Sequence, residues 1–383
     1  MARGSGSVLT PRAVRLPVVV TRFSTRACGR TCAIFRAWAR SLSIRIDTRA
    51  LRSRHSNGSS RLFEWLLGWR LGRLASALTS VAAGALLGAC SPASSAREQA
   101  LVELEQLAFV PAGAVRLPPY YTKSEVCEIT EPLLVDRYEV PRGRWLAYQR
   151  SLTVPVDPQL AAAVATWTEE TWSWPATWMS LAEARAFAAS RGMRLLTARE
   201  WLRVAAGSRG LPFPWGQTRA SMVANTADLG LSRPLPVGTF ELGATPQSIY
   251  EMSGNVSEWV EEPIDTGSPP ESDPEQYAWV MGGSFATSLT ALYEVDKAGR
   301  LVFQSSTLDP RSRGDDIGLR CVVSARTYLS AHAGDFGSDA ATHARLVAIG
   351  RRFGRDAVPL LEELAREAAD AEALRWLLEG AAK

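Results

Sequence analysis

Ser248–Val260 reads SIYEMSGNVSEWV, which sets two acids, Glu251 and Glu258, an amide, Asn255, and two aromatics, Tyr250 and Trp259, around a turn at Gly254. Few folds need so much polar and aromatic chemistry in so short a stretch. Upstream, MSLAEARAFAASRG has Ser180 as an N-cap, Glu183 three residues later and Gly192 as a stop, the grammar of one complete helix. RLLTAREWLRVAAGSRG repeats it with Thr197, Glu200 and Gly207. PLLVDRYEVPRGRWLAYQ predicts a strand over 133–140 and a helix after Pro141, and FVPAGAVRLP reads as strand and turn. Between these lie loops rich in Gly, Pro and Trp, such as LPFPWG, VANTADLG and PLPVGTF. Long irregular stretches held by buried aromatics, with few helices and short strands, predict an α+β fold rather than layered α/β. No Gly-rich loop follows a strand, so no nucleotide site is expected.

The 248–260 stretch closely resembles the central signature G-L-Y-D-M-x-G-N-V-x-E-W of the formylglycine-generating enzyme and sulfatase-modifying-factor family. VDRYEVP, SLAEA, RLLTAREW, FPWG, ANTADL, PVGTF, MGGSF and GLRC match further pieces of that family in its own order, over roughly 109–325. The resemblance implies a C-type-lectin-like α+β domain with much irregular structure.

It also implies a chemistry that this chain lacks. Sulfatase-modifying members of the family use a Cys pair with copper and oxygen, placed between the G-G-S strand and G-F-R-C. Here no Cys lies between Gly283 and Gly318. The thiolate is both the redox nucleophile and the soft copper ligand, so no other side chain replaces it. The ergothioneine-type sulfoxide synthases join the same domain to a helical bundle with an iron-binding His triad. This chain has only His55, His332 and His343, none of them within 109–325. No catalytic residues are assigned, and neither copper nor iron is expected.

A hard-cation site remains. Carried over residue by residue, the resemblance implies structural calcium at Glu251, Gly254, Val256 and Glu258, with Asn255 shaping the turn and a second site near Asn225. Two carboxylates with backbone carbonyls are the kind of oxygen supply calcium takes. The alternative is that Asn255 caps a tight turn and Glu258 pairs with an Arg.

Trp201, Trp215 and Trp259 read as core aromatics. Trp167, Trp172, Trp174 and Trp178 fall in TWTEETWSWPATW; if exposed, they suit a sugar or peptide surface. Cys127 and Cys321 are the thiols after Cys90. In an oxidising envelope they are expected to form a disulfide, the alternative being two buried free thiols. The 286–316 segment stands where the family's active loops lie, and its Asp309, Arg311, Arg313, Asp315 and Asp316 read as a solvated ion-pair network.

Charge divides the chain. Of 43 Lys and Arg, 15 Arg lie at or before Cys90 against only Asp47 and Glu64, so the rest is acidic although the whole carries +4. An acidic body argues against nucleic acid, which needs clustered cations. Residues 1–60 are Arg-rich without apolar periodicity and read as a disordered basic tail or a misassigned start. Over 61–90, Arg70 and Arg73 precede LASALTSVAAGALLGAC, and Leu87-Gly88-Ala89-Cys90 resembles a bacterial lipobox. A lipidated Cys90 then anchors the protein to the bacterial envelope; a plain membrane anchor or a secreted product is the alternative. Residues 91–106 read as a polar linker, with a short helical patch over 101–107, then 107–326 as the main domain and 327–383 as a helical extension. In that extension Asp339 caps a helix ending at Gly354, Asp356 caps a second, and DAEALRWLLEG forms a third. The function expected is a noncatalytic envelope lipoprotein holding a peptide, protein or glycan. The alternative is an oxidoreductase of the same superfamily working by a different site.

Overall fold

The computed structural model describes residues 92–116, 126–153, 155–261, 277–295, 301–303, 306–368 and 370–383. The basic segment 1–60, the leader 61–90 and Cys90 lie outside the described residues.

Where a linker was expected there is a helix, α1 (Pro92–Glu105). Its Ala, Gln, Glu and Leu residues are good helix formers, and Leu101 and Leu104 are buried. Four strands follow, β1 (Leu107–Val110), β2 (Gly113–Arg116), β3 (Val126–Ile129) and β4 (Leu133–Asp136), then α2 (Arg142–Ser151) and α3 (Pro158–Val164). Next come α4 (Leu181–Ser190), β5 (Arg194–Leu195) and α5 (Ala198–Ala206). Both capping boxes form as the spacing predicts, Ser180 with Glu183 and Thr197 with Glu200. After a long irregular stretch come β6 (Ser257–Val260), β7 (Ala278–Met281), α6 (Leu289–Leu292), β8 (Tyr293–Val295), β9 (Leu301–Phe303), β10 (Ser306–Leu308), β11 (Ile317–Gly318) and β12 (Cys321–Ser324). The chain closes with α7 (Ala325–His332), α8 (Ala340–Phe353), α9 (Val358–Glu367) and α10 (Glu372–Ala381).

One sheet runs β1-β4-β12-β5, antiparallel throughout. Alternate side chains of a strand point to opposite faces, and here each face meets its own core. Leu107, Phe109, Leu134, Cys321 and Val323 pack with the C-terminal helices. Ala108, Val110, Leu133, Val135 and Val322 pack with Trp201, Met252 and Met281. Burial on both faces explains why LAFV and LLVD are continuous apolar runs rather than alternating ones. A second sheet, β10-β7-β6-β11, carries the 248–260 turn at the start of β6 and pairs β11 with β6 in parallel.

The C-terminal helices belong to the first core. Asp339 caps α8 through Oδ1 to the amides of Ala341 and Thr342, and Phe353 packs on Phe109 with ring centroids 5.9 Å apart. α8 and α10 touch backbone to backbone, since a Cβ on Gly350 would lie 2.0 Å from the Leu377 carbonyl oxygen. Asp356 does not cap α9; it sits in a short 3-10 turn, and α9 starts with a Pro in its first turn and no side-chain cap. Among the described residues no helix is long and apolar enough to cross a membrane.

Candidate functional site

The 248–256 segment is a run of backbone turns. Ser248, Glu251, Gly254 and Asn255 all have positive φ, at 59, 52, 77 and 62°. Gly254 has no room for a side chain, because a Cβ there would stand 2.3 Å from the Asn225 carbonyl oxygen. Asn255 holds the turn through both ends of its amide. Oδ1 accepts from the Leu235 amide at 2.8 Å and from Asn225 Nδ2 at 3.0 Å, while Nδ2 donates to Glu139 Oε2 at 2.5 Å. Asn225 Nδ2 also donates to the Arg233 carbonyl at 3.0 Å, and its Oδ1 is buried without a hydrogen-bond partner.

The six residues assigned to calcium are thus brought close together, but the side-chain oxygens of Glu251, Asn255 and Glu258 are engaged by protein donors. Glu258 faces Arg320, with Nη2 to Oε1 at 2.6 Å, and its Oε2 accepts from Trp201 Nε1 at 2.7 Å. Glu251 accepts from the amides of Gly238 at 2.9 Å and Phe240 at 3.3 Å. Arg320 also donates to the carbonyls of Asp136 and Tyr250, so a guanidinium sits where a bound cation would compensate these acids. Calcium wants six to eight free oxygens; this donor set does not fit it, and the residues take the Arg-paired, turn-capping alternative. Asp228, near the second expected site, accepts from the Leu289 amide at 2.7 Å and the Thr226 hydroxyl at 3.0 Å, and so ties two loops together. Among the described residues no group of His, Cys, Asp and Glu is arranged to hold a metal ion.

Sequence reading missed Glu139, which is fully buried and accepts from the Val256 amide at 3.0 Å. Burial pushes its carboxyl well above the usual range, and Glu251 and Glu258 push it further, against Arg320 and the Val256 amide. Burial likewise raises Glu251, against the amides of Gly238 and Phe240. Three acids face one guanidinium in a low-dielectric core, which disfavours the charged form of Glu139. The available signal was VDRYEV itself, which sets two acids directly after the apolar run of β4.

The second buried cluster surrounds Cys321. Asp136 accepts from both terminal nitrogens of Arg191 at 2.7 Å and from the Cys321 amide at 3.0 Å. Cys321 is a buried free thiol; the side chain of Cys127, the partner expected for it, lies outside the described residues. Burial, with Asp136 beside it, pushes the thiol pKa far up, against Arg191. A protonated, enclosed thiol is neither nucleophile nor metal ligand.

His332 contacts Asp335 and His343 contacts Glu379, both at the surface of the C-terminal helices. Trp201 and Trp259 are fully buried, Trp259 donating to the Met179 carbonyl at 3.0 Å, and Trp215 stacks half-buried on Phe213. Trp172 is exposed, while Trp167, Trp174 and Trp178 are partly so. In the 286–316 segment Arg311 and Asp309 form the exposed pair expected, but Arg313 is mostly buried, within reach of Asp157 and bonded to Glu183 at 2.5 Å. A cleft of about 440 Å³ lies alongside, lined by Arg219, Met222, Thr226, Asp228 and Leu289.

Residues 92–325 match the sulfatase-modifying factor enzyme 1-like domain, and the chain belongs to that family. The hercynine oxygenase of Mycolicibacterium smegmatis is 32% identical over 153 residues, 38% of this chain and 35% of that protein. The hercynine oxygenase of Mycobacterium tuberculosis is 38% identical over 96 residues, 24% of this chain and 22% of that protein. The chain thus spans only 22–35% of the length of the curated relatives it matches. Among solved structures, CarF is similar over 57% of this chain and 97% of its own, at 20% identity and TM-score 0.41. PvdO from Pseudomonas aeruginosa is similar over 56% and 93%, at 22% identity and TM-score 0.40.

Proposed function

We propose that residues 92–325 form a noncatalytic binding domain, held at the bacterial envelope by a lipidated Cys90 and presenting its surface to a peptide, protein or glycan. The observation that carries this reading is the state of the reactive groups. Cys321 is enclosed and held protonated, and the acids of the signature turn are committed to Arg320, Trp201 and backbone amides. The family domain contains no His to act as base or iron ligand. The cleft beside Asp228 supplies a concave surface, lined by residues between Arg219 and Leu229 with Leu289 of the 286–316 segment at its side.

The hercynine oxygenases support a second reading, an oxidoreductase acting on a small molecule or peptide through a different set of groups. Oxygen uptake decides between the two. Purified protein is given iron(II) or copper, hercynine and a thiol in air. The binding reading expects uptake no faster than in a protein-free control with the same metal, thiol and hercynine; faster, hercynine-dependent uptake overturns it. Lipidation is tested by the mass of the Cys90 peptide from bacterial membranes, where an unmodified Cys90 overturns the anchor.

A further inference from the structure

Arg142, the first residue of α2, lies between two indoles. Its guanidinium carbon is 4.9 Å from the ring centroid of Trp167 and 5.3 Å from that of Trp174. Arg233 approaches Trp174 as well, at 5.5 Å. Several arginines of this domain pair with acids: Arg144 with Glu103, Arg191 with Asp136, and Arg313 with Glu183. Arg142 and Arg233 have none among the described residues, and Nε of Arg142 is buried with no hydrogen-bond partner. Burial with no neighbouring acid to offset it draws the Arg142 pKa down to about 10. A half-buried cation without a counter-charge is unfavourable, and an anion brought by a ligand relieves it.

The frame around these groups is fixed. The Arg142 amide donates to the Trp174 carbonyl at 2.8 Å, Gly143 to Trp172 at 2.9 Å, and Val237 to Ser173 at 2.8 Å. Those bonds occupy the backbone of the Trp loop, so it offers no open edge on which a peptide could add as a strand. Access is through side chains. Trp172 is 38% exposed and Arg233 is exposed.

We propose that Arg142 and Arg233, set around Trp174 with Trp172 beside them, form a subsite for the carboxylate of an acidic sugar, a uronate unit of a glycan. The planar guanidinium matches a carboxylate in two-point hydrogen bonding, and the exposed indole offers an apolar face to the C–H side of a sugar ring. The subsite shares no residue with the lining of the cleft beside Asp228, so it goes beyond the binding reading by adding a second place and naming a ligand class, and it does not depend on the absence of oxygenase activity.

The test is a titration of the full-length protein, followed by Trp fluorescence, with galacturonate oligomers, neutral glucose oligomers and an oligoglutamate peptide. Saturable binding of the uronate is expected, with the neutral oligomer at least about tenfold weaker. Arg142→Gln and Arg233→Gln should each weaken the uronate by about tenfold or more. Arg233 is exposed and without ion pairs, so its variant keeps the wild-type melting temperature and separates lost binding from lost folding. No saturable change with uronate, equal binding of the neutral oligomer, unaltered affinity in both variants, or preference for oligoglutamate overturns the proposal. Oxygen uptake is a separate readout, so failure here and failure of the noncatalytic reading are distinguishable.

Discussion

Arg320 and Glu258 meet with essentially nothing of either side chain exposed, Nη2 to Oε1 at 2.6 Å, beside the parallel pairing of β11 and β6. Removing one member of such a pair leaves an uncompensated charge in the core, which typically costs 3–5 kcal/mol. Arg320→Met is expected to destabilise by about 3–5 kcal/mol, read as a fall in the urea midpoint. Glu258 loses its ion-pair partner in that variant, and Glu139 and Glu251 a neighbouring cation, so a loss under about 1 kcal/mol would mean that the network does not hold the turn.

Two buried acids set opposite pH limits. Burial alone would raise Asp136, but Arg191, Arg144 and the Cys321 amide outweigh it and hold the carboxyl below its ordinary 3.8. A depressed folded value stabilises above 3.8, and that contribution is lost as pH falls through the folded value. Glu139 is the reverse: burial and its acidic neighbours raise it well above 4.5, so its contribution is present below 4.5 and lost as pH rises through the folded value. Urea midpoints across pH should therefore fall on both sides of a maximum. Glu139→Gln should flatten the alkaline side. That variant keeps one acceptor oxygen for the two donors, Asn255 Nδ2 and the Val256 amide, at every pH, so the slope rather than the level reports on Glu139; an unchanged slope contradicts the assignment.

Gly254→Ala places a Cβ against the Asn225 carbonyl at φ +77. Strain at such a position is on the order of 1–3 kcal/mol, and the close contact adds to it. The melting temperature should drop by several degrees; an unchanged one would show that the loop carrying Asn225 yields freely.

Calcium removal should do nothing to stability. With Arg320 supplying the positive charge, a chelator should leave the melting temperature where it was, and added millimolar calcium should not raise it. A calcium-dependent rise would show that a cation displaces the guanidinium from Glu258.

Local chemistry was legible in the sequence wherever it acts within a few residues. Ser180 with Glu183, Thr197 with Glu200 and Asp339 ahead of α8 announce their helices because cap and helix are neighbours in the chain. The order of the family's motifs carried the fold. What escaped depends on distant partners. Arg320 is 62 residues from Glu258, and Asn255 is 116 from Glu139. Nothing local in GNVSEW distinguishes a cation from a guanidinium as the partner of its acids, although the Arg alternative was visible. Residues 91–106 looked like a tether because SPASSAREQA is small and polar. Leu101 and Leu104, together with ion pairs from Glu98 and Glu105 to Arg345 of α8, turn it into a docked helix.

The central claim is that this family domain binds rather than catalyses, and the metal content of the purified protein tests it most directly. After extensive dialysis without chelator, elemental analysis should find neither copper nor iron at a level approaching the protein concentration. Stoichiometric copper or iron would contradict the account and place a redox centre among groups that the structure assigns to hydrogen bonds and ion pairs.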